Sequence, residues 1–201
     1  MTNVFSALAV SADGYITGPD PTPEEGLGAG GERLFDWYMD GDTPSRVFTS
    51  FRLSPASATV FDAAAERVGA ILAGRKTYDD SGGWGGAGPH PDAPLFVLSH
   101  RPPPAPPISS DAQVFISTGF EDAVSEARKI AGEKDVCLMG SGMIAAALRA
   151  GVLDEVIMHQ VPVLLGGGTP YFQALPGSVP LTPLEVVPAP GVTHLRFSVD
   201  R

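Results

Sequence analysis

The stretch Ile71-Leu72-Ala73-Gly74-Arg75-Lys76-Thr77 carries the strongest indication of the fold, because an apolar run leads directly into a glycine turn. The run predicts a buried strand, and Gly74 at its end lets a ligand approach the backbone. A helix then begins, and the free N–H groups of a helical first turn favour phosphate. Arg75 adds a fork of donors that matches phosphate, and Thr77 offers a hydroxyl to the same anion. The motif alone is equally compatible with an ordinary turn that carries surface cations.

Outward from this turn, short apolar runs alternate with stretches of helical periodicity. The predicted strands cover residues 4–10, 70–73, 95–98, 114–116, 136–139 and 155–161. Helices are predicted after Ser54-Pro55, after Gly74, around 124–130 and over 143–150. Such alternation is typical of a mostly parallel sheet with helices on both faces, and residues 184–187 and 194–199 predict a closing antiparallel pair. We expect a single α/β domain over residues 1–201, with ligands bound beyond the carboxyl ends of the strands.

A second strand end also carries residues that favour anions. The apolar run 95–98 is followed by Ser99, His100 and Arg101 in a chain that has only 13 Lys and Arg residues. Next to Arg75, these side chains would form a compact pocket for one dianionic group. The alternative is that they are surface polar residues after a strand.

A third turn, Gly140-Ser141-Gly142, begins a match to the dinucleotide motif G-x-G-x-x-A between a predicted strand and a predicted helix. A Rossmann fold would place this motif in its first βα unit and an acid at the end of the next strand. Here the following strand ends near His159, Gln160 and Val161, without an acid. We therefore interpret the turn as a pyrophosphate contact in a different fold. A Rossmann NAD enzyme of another family, which would prefer NADH, stays as an alternative.

The charge and composition exclude several classes of protein. A net charge of −10 is unfavourable for binding nucleic acid or an anionic membrane, since both require a basic face. The apolar run 4–10 is too short to span a membrane. Cys137 is the single cysteine, and the four His residues show no zinc-binding spacing, so neither a disulfide nor a metal site is expected. We expect a cytoplasmic protein without a resident metal.

Glycine and proline, 24 and 20 residues, cluster in the segments between the predicted elements. Long loops in compact domains are usually functional or disordered. The Gly-rich segment 17–31 would act as a lid that excludes solvent, and the prolines of 102–107 predict a stiff extended connector.

Together these segments resemble the dihydrofolate-reductase superfamily and, within it, the reductase domain of the riboflavin-biosynthesis deaminase–reductase. The resemblance covers almost the whole chain, in order and spacing. It rests on the first strand and turn over 7–16, Gly74-Arg75-Lys76-Thr77, Val97-Leu98-Ser99, Gly140-Ser141-Gly142, Leu153-Asp154-Glu155 and the run 162–168.

The resemblance implies a dihydrofolate-reductase-like three-layer α/β fold and an NADPH-dependent reductase of a small heterocyclic substrate, similar to 5-amino-6-(5-phosphoribosylamino)uracil reductase. Cations beside a 2′-phosphate favour NADPH, whereas a 2′-hydroxyl favours an acid. The resemblance also implies a homodimer, in which strands 184–187 and 194–199 would carry an apolar interface. The implied cofactor-binding residues are Ala9, Gly74, Arg75, Thr77, Ser99, His100, Arg101, Gly140, Ser141 and Gly142.

The substrate side offers three acids as catalytic candidates. Folate reductases carry an acid in the first helix that engages the pterin, which points to Glu32 or Asp36 in a short helix predicted over 32–38. Such acids also simply favour a helix N-terminus. Asp13 follows the first strand and would face the nicotinamide site, although Asp-Gly is also a common turn pair.

Two departures from the riboflavin-pathway domain concern the substrate. That domain typically has Glu directly before its glycine pair, where this chain has Met139. The sequence also lacks the H-x-E and P-C-x-x-C signatures of a zinc deaminase. The alternatives that remain are a dihydrofolate- or pterin-type reductase and a non-catalytic NADP(H)-binding module.

Overall fold

The computed structural model describes residues 2–22, 24–103 and 112–200. Its strands are β1 (Val4–Ser11), β2 (Thr43–Pro44), β3 (Arg52–Leu53), β4 (Val68–Gly74), β5 (Leu95–Leu98), β6 (Gln113–Ile116), β7 (Asp135–Met139), β8 (Glu155–Val161), β9 (Leu181–Ala189) and β10 (Val192–Val199). Its α-helices are α1 (Pro55–Glu66), α2 (Arg75–Asp80), α3 (Phe120–Ala131) and α4 (Ser141–Arg149). Two short 3₁₀ segments span Gly31–Met39 and Gly82–Gly86.

Eight strands form one twisted sheet in the order β6-β5-β4-β7-β1-β8-β10-β9. The first six are parallel to their neighbours, while β10 pairs antiparallel with both β8 and β9. The predicted sheet and its antiparallel strand pair are thereby confirmed. Because β1, β4 and β7 are neighbours at the centre of the sheet, their carboxyl ends meet at one edge.

Alternate residues along the central strands face two separate cores, as the pleat of a strand requires. Val4, Ala70 and Leu72 pack with α3 and α4 on one face of the sheet. Phe5 and Ile71, one position away, pack on the other face with Ala64 of α1. The strands are therefore buried on both sides, which explains why they read as continuous apolar runs. The three-layer architecture follows from this arrangement.

The helix boundaries largely follow the sequence signals. Ser54 caps α1, since its Oγ accepts a hydrogen bond from the N–H of Ser57 and Pro55 follows at the first helical position. α4 begins at Ser141, two residues earlier than its apolar pattern indicates. Beyond Pro103, the predicted proline connector lies outside the described residues until Ala112. Within the described part of the chain, no helix is both long and apolar enough to cross a membrane.

Candidate active site

A cleft of about 620 Å³ opens where β1, β4 and β7 end at the same edge of the sheet. We call it the strand-end cleft. Its walls include Ala9 of β1, Gly74 and Thr77 at the start of α2, and the turn 140–142. Thr17, Gly26 and Leu27 of the Gly-rich segment 17–31 also line it. The structure thus brings six predicted cofactor-binding residues together: Ala9, Gly74, Thr77, Gly140, Ser141 and Gly142.

Glycine stands at positions 140 and 142 of this turn for two different physical reasons. Gly140 has a φ of 90°, and a Cβ there would collide with Oγ1 of Thr77. Gly142 does not have a left-handed backbone conformation. A Cβ built there would lie 3.8 Å from Nε2 of Gln173, and it would have no other neighbour outside its own helix within 4 Å. Gly140 is therefore required by internal packing, whereas the open space beside Gly142 belongs to the cleft.

Ser141 lies between these glycines at the N-terminus of α4 and is 2% exposed. Its Oγ is buried and has no hydrogen-bond partner among the described residues. A buried hydroxyl without a partner is costly, and the turn lies at a helix N-terminus, where anions are favoured. The unpartnered Ser141 hydroxyl in the wall of the strand-end cleft is therefore suited to bind a ligand that carries a phosphate group.

Three of the four predicted 2′-phosphate contacts form one cluster beside α2. Arg75 donates through Nε to Asp79 Oδ1 at 2.7 Å and through Nη1 to Ser99 Oγ at 3.3 Å. Arg101 donates through Nη2 to the second oxygen of Asp79 at 2.8 Å. Asp79 thus holds two guanidinium groups with one carboxylate and leaves the cluster with excess positive charge. The fourth predicted contact, His100, is exposed.

The predicted catalytic acids are not brought to the strand-end cleft. Glu32 and Asp36 are exposed on the 3₁₀ segment Gly31–Met39, and Asp36 pairs with Arg33 at 3.1 Å. Asp13 accepts hydrogen bonds from Ser11 Oγ and from the N–H groups of Leu165 and Gly166. The bond from the Ser11 hydroxyl, followed by the two backbone bonds, lowers the pKa of Asp13. These contacts give Asp13 a role in anchoring the 162–168 loop, and its predicted catalytic role gains no support.

A second cavity, of about 710 Å³, lies between α1 and the sheet. We call it the aromatic cavity. It shares five lining residues with the strand-end cleft: Ala7, Phe35, Tyr38, Trp84 and Met139. Phe51 stacks on two aromatic rings of this cavity: on Tyr38, with ring centroids 4.5 Å apart, and on Phe48, with ring centroids 5.2 Å apart. The two cavities are therefore adjacent parts of one larger site.

Trp84 stands at the junction of the two cavities in a left-handed backbone conformation, with a φ of 48°. This conformation costs a bulky residue on the order of 1–2 kcal/mol. Its neighbours Gly83 and Gly85 have φ values of 59° and 61°, which glycine adopts without that cost. Strained residues held by their surroundings concentrate at functional sites, and here the strain places an indole on the wall of both cavities.

A buried polar chain reaches the aromatic cavity from α1. Ser57 Oγ lies 3.0 Å from Nε2 of His194, and Nδ1 of His194 lies 2.8 Å from Nδ1 of His159. Burial lowers the pKa of His159 to about 3, with a further contribution from His194, and burial lowers the pKa of His194 to about 4. Both imidazoles are therefore neutral at pH 7, and the short contact is a hydrogen bond between neutral rings.

Sequence reasoning missed the aromatic cavity and this polar chain. The available signal was Phe48 and Phe51, two aromatic residues in a segment without a predicted element. The pairing of His194 with His159 depends on the register of β10 against β8, which no local pattern reveals. Among residues 2–22, 24–103 and 112–200, no three His, Cys, Asp or Glu side chains are placed to hold a metal ion.

Comparison with protein families gives a match over almost the full chain. The family model described as RibD C-terminal domain matches residues 2–191. Among curated proteins, none is similar enough in sequence to match.

Solved structures share this fold over the whole chain. A putative riboflavin biosynthesis protein from Shewanella sp. PV-4 is 24% identical with a TM-score of 0.71, and the match covers 100% of both chains. Dihydrofolate reductase from Enterococcus faecalis, solved with NADP(H) and RAB-propyl, is 15% identical with a TM-score of 0.60, over 99% of this chain and 97% of that one. RibD from Acinetobacter baumannii is 15% identical with a TM-score of 0.60, over 100% of this chain and 59% of RibD. These likenesses confirm the predicted dihydrofolate-reductase-like fold.

Proposed function

The chain belongs to the RibD C-terminal domain family, and from this premise we propose that it is an NADPH-dependent reductase of a small heterocyclic substrate. Family membership and the dihydrofolate-reductase-like fold support a reductase of the riboflavin-biosynthesis type. The observation that carries the proposal furthest is the buried, unpartnered Oγ of Ser141 in the wall of the strand-end cleft. The substrate and a cytoplasmic location stay predictions.

The residues of the strand-end cleft fit a dinucleotide phosphate. Ser141 offers its hydroxyl and the N-terminus of α4 to a pyrophosphate, and Gly142 leaves room for it. Arg75, Ser99 and Arg101 would hold the 2′-phosphate, because a dianion binds well between two guanidinium groups and a hydroxyl. Asp79 keeps both arginines in place before the ligand arrives, which lowers the cost of ordering them on binding.

When bound, NADPH supplies the hydride, and the chain supplies binding, orientation and exclusion of water. Met139 and Trp84 line both cavities, so they would hold a flat substrate against the strand-end cleft. Thr17, Gly26 and Leu27 of the Gly-rich segment line the strand-end cleft and would form part of a lid over it. These roles need no acid from this chain, and water would supply the proton.

A second candidate function is a non-catalytic NADP(H)-binding module. One observation favours it: among the described residues that line either cavity, Asp80 is the only carboxylate, and it pairs with Lys76 at 2.6 Å. General-acid catalysis usually requires a titratable group within hydrogen-bond reach of the substrate. The two candidates agree on the cofactor and differ only in turnover.

The test of the proposed function measures binding first and turnover second. We expect NADPH to raise the melting temperature more than NADH does, because at equal concentration the ligand that binds more tightly stabilises the folded state more. Consumption of NADPH at 340 nm is then screened over pterins, aminouracils and small imines. Absence of NADPH binding in calorimetry would contradict the proposal, and NADPH binding without turnover over this panel would favour the non-catalytic module.

We further propose a homodimer that forms through β9 and β10, the antiparallel strand pair at the edge of the sheet. Leu184 and Val186 of the edge strand β9 are 49% and 59% exposed, on a stretch whose residues 182–186 are all exposed. An exposed edge strand with apolar side chains is a template for pairing with another chain. We expect sedimentation at micromolar concentration to give a dimer, and the double variant Leu184→Glu and Val186→Glu to give a monomer. A wild-type protein that sediments only as a monomer contradicts this.

A further inference from the structure

We propose that the aromatic cavity is the substrate site and takes a flat, uncharged heteroaromatic compound without a phosphate group, whose hydrogen-bond acceptor is bound by His159. This inference rests on the proposed function, since it names the substrate class of the same site. It departs from a phosphoribosyl substrate, and four features of the described residues carry it.

The first feature is the shape and chemistry of the walls. Aromatic rings line the cavity from several elements, with Phe61 of α1 at one side and the Phe48–Phe51 stack at another. The centroid distances of 5.4 Å and 5.9 Å from Phe61 to Phe48 and Phe51 describe a continuous wall of rings. A planar aromatic ligand gains both apolar burial and ring contacts against such walls.

The second feature is the lack of charge. Among the described residues that line the aromatic cavity there is no Lys, Arg, Asp or Glu. A phosphate dianion moved from water into such a cavity would lose its hydration without gaining a cation. The arginine cluster around Asp79 lies instead beside α2, outside the lining of both cavities. The cavity therefore selects against a phosphorylated substrate.

The third feature is the direction of the polar chain that ends at the cavity. Ser54 Oγ accepts from the N–H of Ser57 and donates to Ser57 Oγ at 3.0 Å. Two tautomers of His194 fit these contacts, and only the one with its proton on Nδ1 gives the Ser57 hydroxyl an acceptor, namely Nε2 of His194. In this tautomer Nδ1 of His194 donates to Nδ1 of His159. Neutral His159 consequently carries its proton on Nε2. This arrangement satisfies every member of the chain and leaves one N–H donor at its end.

That donor is available to a ligand. His159 lines the aromatic cavity, and within the described part of the chain its Nε2 makes no hydrogen bond. A carbonyl oxygen or an unprotonated ring nitrogen of a ligand would complete it. Because burial holds the pKa of His159 well below neutrality, the ring offers a neutral donor and does not attract an anion.

The fourth feature is that the other histidine of the cavity is already occupied. Nε2 of His90 lies 3.2 Å from the carbonyl oxygen of Ala65, and its Nδ1 accepts from the N–H of Asp92 at 3.1 Å. His90 thus has both ring nitrogens bonded internally, whereas His159 has one free. The pair provides a matched comparison within the same cavity.

The experiment titrates the intact protein by calorimetry with three probes. 2-Quinolone is flat and uncharged and carries a carbonyl acceptor, naphthalene has the same size without an acceptor, and uridine 5′-phosphate carries a phosphate. We expect His159→Phe to weaken 2-quinolone binding about tenfold, the effect of one lost hydrogen bond in a buried site, and to change naphthalene binding less than about twofold. His90→Phe is expected to leave the ratio of the two affinities unchanged. Uridine 5′-phosphate is expected to bind at least about tenfold more weakly than 2-quinolone.

A second measurement keeps the inference testable where His159→Phe fails to fold. In the wild-type protein with ¹⁵N-labelled histidine, 2-quinolone should shift the Nε2 resonance of His159, and naphthalene should not. An unchanged Nε2 resonance, an unchanged affinity ratio in folded His159→Phe, or equal binding of uridine 5′-phosphate would each overturn the inference. NADPH is titrated separately in every sample. If NADPH does not bind but 2-quinolone binds in a manner that depends on His159, the proposed function is contradicted and the inference on the aromatic cavity is kept.

Discussion

Replacement of Gly142 by valine is expected to abolish dinucleotide binding, with an affinity loss of at least about a hundredfold, or on the order of 2.7 kcal/mol. A Cβ at Gly142 would meet no backbone, since Nε2 of Gln173 at 3.8 Å is its only neighbour within 4 Å. The fold therefore accepts the substitution, while the branched side chain fills the strand-end cleft beside the unpartnered Ser141 hydroxyl. Calorimetric titration with NADPH measures the loss, and circular dichroism checks that the native fold is kept.

The matched control for this substitution is Gly167→Val. Gly167 also has an ordinary backbone conformation, and a Cβ there would lie 3.7 Å from Cβ of Pro19 without entering the strand-end cleft. We expect Gly167→Val to bind NADPH as the wild-type protein does. Gly140→Val is not a useful test, because the collision with Thr77 and the φ of 90° would disturb the fold itself. Normal NADPH binding by folded Gly142→Val would show that the turn does not contact the cofactor.

Replacement of Arg75 by alanine is expected to weaken NADPH binding more than tenfold and to leave NADH binding nearly unchanged. The side chain is only 16% exposed and is held by Asp79 and Ser99, so its guanidinium is already placed for a phosphate. A charge-assisted hydrogen bond of this kind contributes about 1.5–3 kcal/mol. The measurement is a pair of calorimetric titrations with the two cofactors.

The comparison of cofactors isolates the 2′-phosphate, because NADPH and NADH differ only in that group. Arg33→Ala serves as the control, since Arg33 is a surface arginine paired with Asp36 and lies outside the cluster. It should affect neither cofactor. Equal losses for NADPH and NADH in Arg75→Ala would mean that Arg75 supports the fold of the strand end and does not read the 2′-phosphate.

The sequence predicted the short helix that carries two of the candidate acids, but not the surroundings of those acids. Glu32 and Asp36 do lie in the predicted short helix, yet they face solvent. The spacing of apolar residues in this helix indicates which side chains are buried, and Leu34 and Trp37 are buried in the structure. Periodicity does not say where the buried face rests, and here Trp37 packs against Phe61 and the two histidines, away from the strand-end cleft.

The sequence by itself determined the parallel sheet, the helices between its strands and the two glycine turns at Gly74 and Gly140, because apolar periodicity and glycine turns are local properties. It also placed Arg75, Ser99 and Arg101 after strand ends, which made their proximity predictable once the strands were parallel. Only the tertiary structure decided their shared partner Asp79, the anchoring of the 162–168 loop by Asp13, and the pairing of His159 with His194. These contacts depend on strand order and register across distant parts of the chain. Their free energy is gained only when the sheet is assembled, so no short stretch of sequence carries it.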